Sequence, residues 1–420
     1  MQVNLTALKN GLRVVTVERP QTETVSLGIW VNTGNAYETA DVNGISHFVE
    51  HMVFKGTAKR NSLQISEDIE NVGGHTNAYT SREFTVFYAK MLKNDTELAL
   101  DVLSDFVMAP TFDAAEMVKE KEVVVQEIKQ TNDDPSDIVF DYFNETAFAD
   151  QPIGRSILGT ADLVRSFDAE KLRKYMQSNY AAENIVVAAA GNLKHDDFVK
   201  MVDKRMGGLR AKTSYTKAPQ IYTGGEFIKT RDIEQAQVLI GFNGVDYHHE
   251  LYYPIAIMSN ILGGGMSSRL YQEIREKRGL VYTVYSFANS HTESGLFGVY
   301  AGLNQEEIKN YMPVVADEIK KIVNEQVSDK ELNRVKVQFK ANILMALESS
   351  SSTAEVIARH QLCHNRNIPM EEIVEKIEKV NKDDILKAAQ FIFAGKPTYT
   401  LLGNLEKYPS YEDVEKMVRG

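Results

Sequence analysis

Two histidines four residues apart, with a glutamate just before the second, are the part of this sequence that most directly suggests chemistry. In the run Asn43-Gly-Ile-Ser-His-Phe-Val-Glu-His-Met-Val-Phe54, His47 and His51 stand at i and i+4, and residues so spaced share one face of a helix. Two imidazoles on one face can grip a single divalent ion. Glu50 lies on nearly the same face and can reach a water activated by that ion. The chemistry this permits is metal-assisted hydrolysis, in which zinc lowers the pKa of water toward neutrality and a carboxylate takes the proton as general base. A hydrolytic zinc needs a third protein ligand and one open position. The stretch Glu120-Lys-Glu-Val-Val-Val-Gln-Glu127 offers two carboxylates seven residues apart. Seven residues is about two helical turns, so Glu120 and Glu127 point the same way and spacing alone does not choose between them.

A helix must therefore present His47, Glu50 and His51, and a longer one must present the two carboxylates. Phe112-Asp-Ala-Ala-Glu-Met-Val-Lys-Glu-Lys-Glu-Val123 reads as the start of that long helix, capped at Asp113. It has a counterpart in Val327-Ser-Asp-Lys-Glu-Leu-Asn-Arg-Val-Lys-Val337, capped at Ser328. The echo extends further. Asn184-Ile-Val-Val-Ala-Ala-Ala-Gly-Asn-Leu193 and Pro397-Thr-Tyr-Thr-Leu-Leu-Gly-Asn-Leu405 each read as a strand with a Gly-Asn turn, followed by an amphipathic helix. The chain thus reads as a duplication. Alternating strands such as Thr24–Val31 and Phe84–Tyr88 mix with long helices, so an α+β fold is expected. Each half should be a mostly antiparallel sheet packed with helices, the two forming a clamshell around a cavity. The expected division is 1–211 for the metal-binding half, 212–225 for a polar linker holding a Pro and a Gly-Gly, and 226–420 for a second half without the metal motif.

These residues resemble the pitrilysin-type inverzincins, and in detail the mitochondrial-processing-peptidase-like bacterial branch, over the whole chain. Besides H-x-x-E-H and the later Glu pair, the resemblance includes Gly74-His-Thr-Asn-Ala-Tyr-Thr-Ser-Arg-Glu-Phe-Thr-Val-Phe-Tyr88, similar to an N-A-x-T-x-x-E-x-T segment. It also includes Leu262-Gly-Gly-Gly-Met-Ser-Ser-Arg-Leu270 and an Arg275/Tyr282 pair seven apart. The resemblance implies that His47, His51 and Glu127 bind one zinc per chain, that Glu50 is the base, and that Glu120 steadies a ligand from behind. Asn77 and Ala78 would sit on an edge strand that takes up peptide by strand addition. Arg275 and Tyr282 would offer donors to substrate carbonyls or to the developing oxyanion. One active site per chain follows, because no H-x-x-E-H occurs in the second half.

Bulk composition is consistent with this reading. The chain has 420 residues, 43% hydrophobic and 25% charged, and no apolar stretch long enough to span a membrane. A net charge of −11 argues against nucleic acid and is compatible with basic peptides. The single cysteine, Cys363, and an N-terminus without signal or transit character lead to an expected cytoplasmic location. Monomer and homodimer are both compatible with the sequence. His360-Gln-Leu-Cys-His364 has metal-ligand spacing but no evident fourth ligand nearby. The expected function is a zinc-dependent endopeptidase acting on unstructured peptides or presequence-like segments. The alternative is a non-catalytic scaffold or assembly subunit on the same fold, disfavoured because the ligands, the base and the Arg/Tyr pair all stand. Two His and a carboxylate suit zinc, though manganese or cobalt could substitute.

Overall fold

In a computed structural model, which describes residues 2–215 and 217–419, the duplication is visible in the strand order. The first half runs β1 (Asn4–Ala7), β2 (Arg13–Glu18), β3 (Thr24–Val31), α1 (Ile45–Val53), α2 (Ser62–Glu70), β4 (His75–Thr80), β5 (Thr85–Leu92), α3 (Thr96–Met108), α4 (Ala114–Asp133), α5 (Pro135–Ala147), α6 (Ala161–Ser166), α7 (Ala169–Asn179), β6 (Ile185–Gly191) and α8 (His195–Met206). The second runs β7 (Gly225–Thr230), β8 (Ala236–Asn243), α9 (Tyr252–Gly263), β9 (Val281–Ser290), β10 (Gly295–Leu303), α10 (Ile308–Asn324), α11 (Asp329–Ala346), α12 (Ser350–His364), α13 (Met370–Lys379), α14 (Lys382–Phe393), β11 (Thr398–Gly403) and α15 (Tyr411–Arg419). One sheet has the order β1-β2-β6-β3-β5-β4 and the other β7-β11-β8-β10-β9. Without the extra edge strand β1, the two orders are the same. Each sheet has a single parallel pair, β2/β6 and β7/β11, at corresponding places, and all other pairs are antiparallel. The fold is α+β, with two mixed sheets packed with helices.

Compactness groups the chain differently from repeat order. One unit is formed by 1–129, 156–218 and 343–370, the other by 130–155, 219–342 and 371–420. The break at 218/219 falls inside the 212–225 segment, and we keep 1–211 and 226–420 as the proposed limits of the duplicated halves. What repeat order does not show is an exchange of helices. α5 packs on β8 and β11, while its repeat counterpart α12 packs on β2, β3 and β6.

In the first unit this leaves the sheet covered on both faces. Ile29, Phe87, Val187 and Ala189 face the core formed with α1, α3, α7 and α8. Val15, Val17, Trp30, Val86, Val186, Ala188 and Ala190 face Ala354, Ile357 and Ala358 of α12. A strand buried on both faces need not alternate, and β6 (Ile-Val-Val-Ala-Ala-Ala-Gly) is buried at every residue. α12 is also tied at both ends by arginines of β2 and its flank. Arg13 donates to the carbonyl of Gln361 (2.6 Å), and Arg19 donates to that of Glu348 (2.9 Å) and to Thr353 Oγ1 (2.7 Å).

The two long helices start as expected. Asp113 Oδ1 accepts from the amides of Ala115 and Glu116, and Ser328 forms a reciprocal cap with Glu331.

Candidate metal centre

α1 is amphipathic in the plain sense. Ile45, Phe48, Val49, Met52 and Val53 are wholly buried, and their spacing of three and four leaves His47, Glu50 and His51 together on the other side. Its start is fixed by Gly44, at φ +93° and so close to Leu158 that a Cβ would lie 2.6 Å from the carbonyl oxygen. The first-turn amides are satisfied by Glu38, a fully buried carboxylate that accepts from the amides of Gly44 (2.7 Å) and Ser46 (2.8 Å). Nothing in the local pattern marks Glu38, because the loop that returns it to α1 is irregular.

Three donors converge on one point. The ligand atoms of His47, His51 and Glu127 all lie within 4.8 Å of one another, the one such group of His, Cys, Asp or Glu among the described residues. Glu127 Oε2 is 3.6 Å from His47 Nε2 and 3.4 Å from His51 Nε2. Those separations exceed a charge-assisted hydrogen bond, typically about 2.7–2.9 Å. They match the edge of a tetrahedron with zinc-like bonds of about 2.05 Å, which is about 3.3 Å. The donor set is two imidazole nitrogens and one carboxylate oxygen, which leaves a fourth position for water or substrate, and the Glu127 side chain is 37% exposed. The residues fit a catalytic zinc.

Glu120, one of the two carboxylates of α4, does something different. Its side chain is only 7% exposed; one oxygen is 3.1 Å from His51 Nδ1 and the other 2.6 Å from Lys55 Nζ. That arrangement orients the His51 ring so that Nε2 faces Glu127. Burial raises the cost of ionising Glu120, but His51 and Lys55 outweigh it and hold its pKa below the ordinary value. Burial also opposes protonation of His51, yet Glu120, Glu127 and Glu50 prevail and lift that pKa. His47 has no such carboxylate behind it. Its Nδ1 is buried without a hydrogen bond among the described residues, and burial together with the neighbouring His51 pushes its pKa down to about 3. It is neutral over the whole physiological range, the form in which an imidazole nitrogen can ligate a metal.

Glu50 is held by Thr80 at the end of β4, whose hydroxyl donates to Glu50 Oε2 at 2.5 Å. Burial raises the Glu50 pKa despite the opposing effects of Thr80 and His51, the direction that suits a carboxylate which must pick up a proton. Asn77 and Ala78 lie on β4, the edge strand beside β5, with Asn77 Oδ1 accepting from the Ala78 amide at 2.9 Å. Glu83, from the same motif, is turned inward and paired with Lys217 at 2.8 Å.

The remaining sequence candidates lie in the other compact unit. Arg275 sits in a π-helical turn, Tyr271–Glu276, and Tyr282 on β9. The guanidinium lies 5.7 Å from the Tyr282 ring centre and 4.9 Å from that of Tyr271. Tyr282 is 72% exposed. Gly263, where α9 ends, packs so tightly that a Cβ would lie 2.4 Å from the Ser286 amide nitrogen, so the first glycine of that run is required by packing.

Comparison with known proteins gives the family. Residues 13–161 match the model of insulinase, peptidase family M16, and residues 166–339 match that of the peptidase M16 inactive domain. A Bacillus subtilis protein named "Uncharacterized zinc protease YmxG" is 35% identical over 96% of this chain and 98% of its own length.

The chain belongs to peptidase family M16.

An "Uncharacterized zinc protease" of Rickettsia felis is 36% identical over 95% of this chain and 97% of its own. Among solved structures, a protease from Helicobacter pylori superposes with a TM-score of 0.89 at 21% identity, over 96% of this chain and 99% of that one, which shows the shared fold. The M16 match to an inactive domain covers much of the second half, where no H-x-x-E-H stands.

Thr80, Lys55 and Glu38 were not singled out by sequence. Thr80 lies inside the N-A-x-T segment and was findable there; Lys55, one helical turn after His51, carries no distinguishing pattern.

Proposed function

We propose that this M16 chain is a zinc endopeptidase with one zinc held by His47, His51 and Glu127 and with Glu50 as general base. The observation that carries the reading is the donor spacing around Glu127 Oε2, with Glu50 on the same face of α1 as both histidines. When bound, zinc supplies Lewis acidity that brings the pKa of a water toward neutrality. Glu50, with one oxygen engaged by Thr80, uses the other to take the proton of the attacking water and returns it to the leaving amine. Glu120 keeps His51 in the tautomer that leaves Nε2 free. The edge of β4 at Asn77 and Ala78 accepts the peptide backbone, a mode in which main-chain hydrogen bonds give the affinity whatever the side chains. Arg275 and Tyr282 supply donors to substrate carbonyls. Unstructured, basic or presequence-like peptides are the substrate class, and the chain acts in the cytoplasm as a monomer or homodimer.

Metal content and cleavage measured together test the reading. Glu127→Gln and His51→Ala should each lose zinc and activity in parallel, and chelated wild-type protein should recover cleavage when zinc is returned. Full cleavage by either zinc-depleted variant would contradict the ligand assignment.

A further inference from the structure

β4 is an edge strand, hydrogen-bonded to β5 on one side only. A strand so placed has backbone partners on one side only, and β4 carries both the proposed peptide-binding edge and Thr80, the donor to Glu50. Consecutive strand residues point to opposite faces, and the contacts of Tyr79 and Thr80 follow this rule. Thr80 reaches α1. Tyr79 reaches the other face of the sheet, where its hydroxyl donates to Glu355 Oε1 of α12 at 2.7 Å. The second oxygen of Glu355 accepts from Trp30 Nε1 at 2.8 Å. An indole nitrogen can only donate, so this carboxylate is the acceptor of two fixed donors. Trp30 belongs to β3, near the middle of the sheet, and is almost fully buried. Glu355 therefore ties the edge strand β4 to β3 near the centre of the sheet. Tyr79 stays protonated for this purpose, its pKa raised by burial and by the negative charge of Glu355.

We propose that Glu355 is a positioning residue: through Tyr79 it sets where β4 presents its peptide-binding edge and where Thr80 meets Glu50. This rests on the endopeptidase reading for the role of β4. It assigns to α12, from the C-terminal half of the sequence, a part in the site built by the N-terminal half. The residues concerned, Trp30, Tyr79, Thr80 and Glu355, lie in one compact unit.

The test uses the full zinc-loaded chain in two backgrounds. In Glu50→Gln protein, which does not turn over, the Kd for a fluorescein-labelled unstructured basic peptide is measured by anisotropy. Tyr79→Phe and Glu355→Ala should each raise that Kd about tenfold, the equivalent of one lost hydrogen bond to a carboxylate. The Tyr79→Phe/Glu355→Ala double variant should bind no more weakly than Glu355→Ala alone, and zinc content should be unchanged throughout. Ser351→Ala is the control. It removes another α12–sheet hydrogen bond, to Ser26 Oγ at 2.9 Å, and should lower Tm without moving the Kd. In the native-base background, Tyr79→Phe should lower kcat as well as raise KM. If no variant including wild type cleaves peptide, the endopeptidase reading fails, and the Kd comparison still decides the present proposal. Wild-type Kd in both Tyr79→Phe and Glu355→Ala, additive effects in the double variant, or no peptide affinity in the parent protein would each overturn it.

Discussion

His51 is gripped from behind by Glu120 and faced in front by Glu127, and this difference between two carboxylates on one helix is what periodicity leaves open. Both point the same way, seven residues apart, so the sequence shows a pair and the structure distinguishes them. Glu120→Gln should keep the chain folded but weaken zinc affinity about 10- to 100-fold, measured by competition with a chromophoric chelator. Wild-type affinity would show that Glu120 does not orient the ligand. Thr80→Val should lower kcat about tenfold with zinc content intact, and Thr80→Ser should restore most of it, since only the hydroxyl contact to Glu50 is at stake. Equal kcat in the valine and serine variants would remove Thr80 from the account. His47, His51 and Glu50 were legible because they are local: three residues on one helical face. Lys55 was not, because its partner Glu120 is distant in sequence, and neither was Glu38, because the loop that brings it back to Gly44 and Ser46 has no regular period to mark it.

At the scale of elements, helix caps followed from local rules, whereas strand pairing and strand order did not, because β6 pairs with β2 and β3 across more than half of the first half of the chain. The Ser328 cap was legible, and the same helix start adds a contact that local pattern does not show. Glu331, which completes that cap, also pairs with Arg269 at 2.7 Å, tying α11 to the segment after the glycine run. Burial opposes ionisation of Glu331, but Arg269 and the Ser328 contacts outweigh it and bring its pKa to about 2. The folded-state pKa is thus depressed below the ordinary carboxylate value. The stabilisation it represents, on the order of 3 kcal/mol at most, is fully present above about pH 4.5 and is lost as pH falls toward 2. Glu331→Gln should accordingly be less stable than wild type in denaturant titrations at pH 7, with the gap closing on acidification. A gap independent of pH would mean that the loss is one of packing.

The whole molecule departs most from its linear reading in the exchange of α5 and α12. The sequence repeats show the two long helices as counterparts but carry no sign of which sheet the helix after each of them covers. The consequence is concrete: without residues 343–370, the face formed by Val15, Trp30, Val86 and Val186 is uncovered. The 1–211 fragment should therefore be aggregation-prone and lack a cooperative melt when expressed alone, and co-expression with 212–420 should restore a soluble, zinc-binding complex. A well-folded, cooperative 1–211 fragment would show that α12 is dispensable.

One zinc and one carboxylate, Glu50, are proposed to make this chain a peptidase. That proposal is tested most directly by measuring zinc stoichiometry and cleavage of a quenched unstructured basic peptide on the same preparations of wild type and Glu50→Gln. Both proteins should hold one zinc per chain, with cleavage abolished by chelation and restored by zinc in the wild type and absent from Glu50→Gln. Cleavage by Glu50→Gln at the wild-type rate, or by metal-free wild type, would contradict it.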